Sequence, residues 1–92
     1  MIRLNVSILI EKSENRKPVV LAATELAAKS LRDKGCISYD FFASMTSDDR
    51  YMICETWDSK ENLDAHMASD HFRTLVPKLQ ELSTMTLEEF NF

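Results

Sequence analysis

The opening run MIRLNVSILI puts Ile2, Leu4, Val6, Ile8 and Ile10 on one parity and Arg3, Asn5 and Ser7 on the other. Apolar residues at every second position over nine residues specify a strand with one face buried. Such a strand cannot stand alone. The rest of the chain must supply neighbours at its edges and a layer over its apolar side. The polar stretch EKSENRKP ends the alternation; Ser13 or Asn15 can cap a helix there, and Pro18 suits its first turn. From Val19 to Lys34 the chain is rich in Ala and Leu, with Val20, Ala23, Ala27 and Leu31 at helical spacing and Glu25 paired with Lys29 at i,i+4. Gly35, the only glycine, follows at a place suited to a left-handed residue that closes a helix.

Two β-branched and aromatic segments come next, CISYDFFASM and RYMICETW, joined by a polar turn at Thr46 to Asp49. They predict a hairpin. Asp58 or Ser59 caps a second helical region, with Glu61 three residues after Asp58 in a capping-box position. Ser69 and Pro77 divide that region into two or three short pieces, and STMTLEEFNF returns to extended character. The order β-α-β-β-α-β with right-handed crossovers predicts an α+β, ferredoxin-like domain over residues 1–92, a four-stranded antiparallel sheet with the helices on one face. In CISYDFF and YMICETW apolar residues fall on both parities, whereas helices can cover only one face. A second copy packing sheet to sheet, a homodimer, is the expected cover.

Net charge is −4 and no basic cluster occurs, so nucleic acid and anionic membrane surfaces are not expected partners. The first ten residues lack the apolar core and cleavage site of a signal peptide, and no apolar run nears the roughly 20 residues of a membrane span. The expected location is the cytoplasm, with Cys36 and Cys54 as free, buried thiols.

Chemistry concentrates in ICETWDSKENLDAHMASDHF, which holds the only tryptophan, Trp57, and both histidines, His66 and His71. On a continuous helix a spacing of five turns the two imidazoles about 140° apart. Zinc helices use spacings of three or four, so no metal is expected. A chain with one glycine has no phosphate-cradling loop, and neither cysteine lies in a catalytic motif. What remains is a cleft between helices and sheet, with Phe41, Phe42, Met52, Met67, Phe72 and Leu75 as candidate walls for a planar aromatic ligand. The competing reading is that these residues are simply core.

The segments GCISYDFF, YMICETWDSKENLDAHMASDHF and VPKLQEL together resemble the antibiotic biosynthesis monooxygenase (ABM) domain family, with Glu55, Trp57, Ser59, Leu63, His66 and His71-Phe72 carrying the likeness. The resemblance implies a ferredoxin-like dimeric α+β barrel. It also implies oxygenation of quinols or polycyclic anthrones by dioxygen with no cofactor, neither flavin nor metal. Family members place an Asn, a Trp and a His in comparable pockets. By that likeness Asn5, Trp57 and His66, and after them His71, are the expected catalytic residues; of the cleft walls, Phe41, Met52, Met67, Phe72 and Leu75 are expected to bind the substrate. Heme-degrading relatives carry an axial histidine a few residues beyond the Phe72 equivalent, where this chain has Thr74, Leu75 and Val76, so heme degradation is disfavoured. A non-catalytic dimeric module that binds a small aromatic is the alternative.

Overall fold

A computed structural model of residues 1–92 has the element order β1 (Ile2–Leu9), a 3-10 turn (Ser13–Asn15), α1 (Arg16–Ser30), β2 (Cys36–Ala43), β3 (Arg50–Trp57), α2 (Lys60–Met67), α3 (Asp70–Leu82) and β4 (Thr84–Asn91). The strands form one sheet in the order β2-β3-β1-β4, every neighbouring pair antiparallel. This is the ferredoxin-like arrangement, with the predicted hairpin at β2–β3. The alternation in β1 is realised in full: Ile2, Leu4, Val6 and Ile8 are buried, and Ile10 just beyond the strand is buried too.

Register carries that alternation across the sheet. Val6 stands opposite Ile53, Leu4 opposite Glu55 and Ile2 opposite Trp57, so the helix-covered face of β3 presents Ile53, Glu55 and Trp57. Between Cys36 and Ser38 a bulge shifts the β2 register by one residue. It leaves Ile37 exposed and sets Tyr39 directly opposite Glu55 on the covered face. Val19, Ala22, Ala23 and Leu26 of α1 and Leu75 and Leu79 of α3 close the core from above. Burying a Leu or Ile side chain of this kind stabilises the fold by about 1.5–3 kcal/mol.

Several local expectations are corrected. Helix α1 ends at Ser30, with Leu31 as its C-cap, so Gly35 is not the closing residue of the helix. It lies in the following turn with φ of 81°, and its carbonyl accepts a hydrogen bond from Asp58 N–H at 2.9 Å. The buried stripe of α1 is Val19, Ala22, Ala23, Leu26 and Ser30, one position away from the one expected; Leu31 is exposed. Asn15 makes no side-chain cap and instead donates to the Leu82 carbonyl at 3.2 Å. The second helical region breaks once, at Ser69, and runs through Pro77. Pro77 and Arg73, whose carbonyl loses its donor there, are both exposed, so water can take that place. No helix is long and apolar enough to cross a membrane.

The open face of the sheet is more polar than expected. By register it carries Arg3, Asn5 and Ser7 of β1, Ser38, Asp40 and Phe42 of β2, Met52, Cys54 and Thr56 of β3, and Thr86, Glu88 and Phe90 of β4. Phe42 and Phe90 are its exposed aromatic residues. Both cysteines are free, and both are half-buried rather than buried.

Candidate active site

Strand alternation alone would put an apolar residue between Ile53 and Trp57, yet the position holds Glu55, a residue only 4% exposed. A carboxyl withdrawn from water resists ionisation. Burial pushes Glu55 up to about 7, against the pull of the Trp57 indole N–H and the nearby Tyr39 phenol. Trp57 Nε1 donates to Glu55 Oε1 at 2.9 Å from two residues along the same strand, where alternation places both side chains on one face. No Lys or Arg pairs with Glu55; its ionic neighbour is His66, whose Nε2 stands 3.9 Å from Oε1. The Tyr39 phenol is pushed far up by its own burial and next by the charge of Glu55.

The break at Ser69 determines where the histidines go. Ser69 Oγ donates to the His66 carbonyl at 2.6 Å and accepts from Phe72 N–H at 3.3 Å, ending α2 and starting α3 with one hydroxyl. The change of axis cancels the angular offset expected of a continuous helix. His66 Nδ1 and His71 Nε2 both come to 2.8 Å from Asp33 Oδ2, in the turn after α1. His66 is buried among aromatic rings, with centroids 4.5 Å from Trp57, 5.2 Å from Phe72 and 5.8 Å from Tyr39. Burial holds its pKa below the ordinary histidine value, and the Asp33 carboxylate opposes that shift. Asp33, His66 and His71 have the donor types of a divalent transition-metal site, with ligand atoms within 4.8 Å of one another. Their 2.8 Å separations are those of hydrogen bonds already formed.

Beneath α3 lies a cavity of about 220 Å³, lined by Val6, Leu26, Tyr39, Ile53, Glu55, Phe72, Val76, Gln80, Met85 and Leu87. Phe72, Val76 and Gln80 recur every four residues along α3 and form its roof. Gln80 and Leu87, both exposed, stand at the mouth. Glu55 is the one carboxyl in an otherwise mostly apolar wall.

Of the residues expected from the sequence, only Phe72 lines this cavity. Trp57 and His66 stand behind the wall, reaching it through Glu55, Tyr39 and Phe72. His71 is one contact further out, on Asp33. Leu75 is core, Phe41 stacks on Tyr51 at 5.4 Å, and Met67 is exposed. Asn5 is on the opposite face of the sheet because it has odd parity in β1, and its buried Oδ1 has no hydrogen-bond partner. Met52 and Phe42 border a larger cleft of about 390 Å³ that runs along Ser7, Leu9 and Thr86. That cleft has no buried acid or base. Asp33 and Tyr39 were not expected, and Glu55 entered only as part of the family likeness; a carboxylate at a covered position of a strand otherwise bounded by Ile53 and Trp57 was the available signal.

A family model for antibiotic biosynthesis monooxygenase matches residues 1–78. A solved structure of a conserved protein of unknown function from Bacteroides thetaiotaomicron VPI-5482, described as a candidate oxidoreductase, is 48% identical, with a TM-score of 0.95 over 99% of this chain and 96% of that one. An uncharacterized protein of Synechocystis sp., sll1783, is 27% identical over 71 residues, 77% of this chain; the match spans about half of that protein (48%). YcnE of Bacillus subtilis (strain 168), a candidate monooxygenase, is 27% identical over 84% of this chain and 81% of its own.

Proposed function

The chain belongs to the antibiotic biosynthesis monooxygenase family, and from that membership we propose that it oxygenates a small quinol-like aromatic with dioxygen, the substrate's own electrons serving in place of a flavin or metal. SnoaB of Streptomyces nogalater, a cofactor-independent oxygenase, shares the fold with a TM-score of 0.86 at 15% identity. One observation supports the reading above the others: a carboxyl poised near neutral, Glu55, in the wall of an apolar cavity sized for an aromatic ring. A general base works best when its pKa lies near the working pH.

Closed-shell aromatics react with triplet dioxygen only after an electron has moved. In this reading Glu55 takes the phenolic proton. The resulting anion gives one electron to dioxygen, the two radicals join at a ring carbon as a peroxide anion, that anion takes the proton back, and the hydroperoxide so formed loses water. One oxygen atom stays on carbon as a carbonyl and the other leaves as water, so the ring is oxidised with no external reductant. Trp57 holds Glu55 in place by a hydrogen bond, Tyr39 stands opposite it, His66 and His71 stand behind it, and Phe72 packs on the ring. The apolar wall excludes water, which strengthens each of these interactions. A volume of about 220 Å³ is below the roughly 300–1,000 Å³ of drug-sized sites, which favours a one- or two-ring quinol over a polycyclic anthrone or a tetrapyrrole.

A homodimer formed through the open sheet face belongs to the same reading, supported by exposed Phe42 and Phe90 and by the unpaired Asn5 Oδ1. So does a cytoplasmic location, on the strength of two unpaired thiols. The test is oxygen uptake with a panel of one- and two-ring hydroquinones, wild type against Glu55→Gln. Uptake that the variant lacks supports the assignment. Saturable quenching of Trp57 fluorescence by the same compounds with no uptake would leave a binding module instead.

A further inference from the structure

A carboxylate has lone pairs and no proton to give, so the two ring nitrogens 2.8 Å from Asp33 Oδ2 must each point an N–H at it. For His66 this places the proton on Nδ1. In the neutral ring Nε2 is then a bare acceptor, and it is the nitrogen on the Glu55 side, 3.9 Å from Oε1. The ring has little freedom to turn. Trp57 and Glu55 face it from β3, Tyr39 from β2, Asp33 from the α1–β2 turn, and His71 and Phe72 from α3. The titratable groups among these are Glu55, Tyr39, Asp33 and His71, and no Lys or Arg forms an ion pair with either carboxylate.

We propose that Asp33 is a positioning residue that fixes His66 as the Nδ1–H tautomer, so that Glu55 Oε1 and His66 Nε2 form a pair holding one mobile proton, with His71 as the second donor that keeps Asp33 in place. The proposal rests on Glu55 being the base. A proton taken from the substrate by Glu55 passes to His66 Nε2, which makes an imidazolium opposite the Asp33 carboxylate and returns Glu55 to its anionic form. Only a proton moves; no electron or co-reactant is needed. The 3.9 Å gap must shorten for transfer, as hydrogen bonds between catalytic groups commonly do when ligand binds. The arrangement holds the substrate's proton on His66 and returns it through Glu55 to the peroxide without admitting water past Phe72. It also accounts for two otherwise unexplained facts, a buried histidine directed at a buried carboxyl and a carboxylate shared by two histidines.

Long-range nitrogen–proton NMR of the imidazoles in the full chain, with chelator present, tests this without any substrate. Wild type should show His66 as Nδ1–H. Asp33→Asn should mix the two tautomers and move the His66 titration to lower pH. Glu55→Gln should keep the tautomer and remove the part of the His66 titration that accompanies Glu55 near neutral pH. His66 found as Nε2–H, or a His66 titration unchanged in Glu55→Gln, would overturn the pair. Stoichiometric zinc binding that shifts both histidines once chelator is removed would overturn it as well, making the trio a metal site. With an active substrate, Asp33→Asn should lower kcat about 10–100-fold with KM little changed. The two readings fail separately. A protein with the expected tautomer that oxygenates nothing loses the activity, and an active protein with His66 as Nε2–H loses the pair.

Discussion

The two faces of this sheet are built from the same four strands and differ in what was taken away from water. On the covered face Trp57, Glu55 and His66 are residues each at most 4% exposed and stand against one another. On the open face Asp40, Phe42, Glu88 and Phe90 remain exposed, and the larger cleft, near 390 Å³, holds no buried acid or base. Size alone would choose the open side. Desolvation, which turns an ordinary glutamate into a base near neutrality, chooses the other.

The largest expected difference is catalytic. Glu55→Gln should reduce oxygen uptake about 10²–10⁴-fold, the usual worth of a general base, while Met52→Ala in the open cleft should leave it within a few-fold. Comparable losses in both would remove the distinction between the faces. Next is stability: Trp57→Ala should cost about 3–5 kcal/mol in urea unfolding, because the ring is fully buried, and Phe42→Ala at 52% exposure should cost under about 1 kcal/mol in the monomer. Third is pH. Folding raises the Glu55 pKa from 4.5 to about 7, so its neutral form favours the fold below pH 4.5, and that contribution is lost as pH climbs through 7. The shift corresponds to roughly 3 kcal/mol. His66, with its pKa lowered, acts in the opposite sense and favours the fold above its ordinary value. Glu55→Gln should therefore be more stable than wild type at pH 9 by up to about 3 kcal/mol and near equal at pH 4.5, read from denaturant midpoints at both pH values. Smallest is association. Phe42→Ser with Phe90→Ser should convert a dimer to monomer in sedimentation at micromolar concentration, and a wild type already monomeric there would leave the open face without its expected cover.

Strand and helix order were legible because period two in β1 and the turn residues of the hairpin are local signals. The face of α1 was not. Alanines at 22, 23, 27 and 28 make several stripes nearly equal, and packing on the sheet, not hydrophobicity, selects Val19 and Leu26. The neighbourhood of Trp57, His66 and His71 could be picked out by residue type, but its working group could not. Glu55 looks like a solvent-facing strand residue until the register with Leu4 shows which way it points. Asp33 is more than thirty positions from its histidines, and only the change of axis at Ser69 brings them together. Asn5 was expected from the family likeness, and its odd parity in β1 puts it on the face opposite Glu55.

Gly35 ties this chemistry to the backbone. A methyl group there would come within 2.4 Å of an Asp58 oxygen and 2.5 Å of the Asn62 amide, in a φ region that side chains rarely adopt. Any larger residue would have to push apart the junction where the end of the third strand meets the helix bearing His66, two positions from Asp33. The sole glycine thus acts as a spacer of zero thickness, and the alignment between a carboxylate and two imidazoles depends on there being nothing at that point but hydrogen.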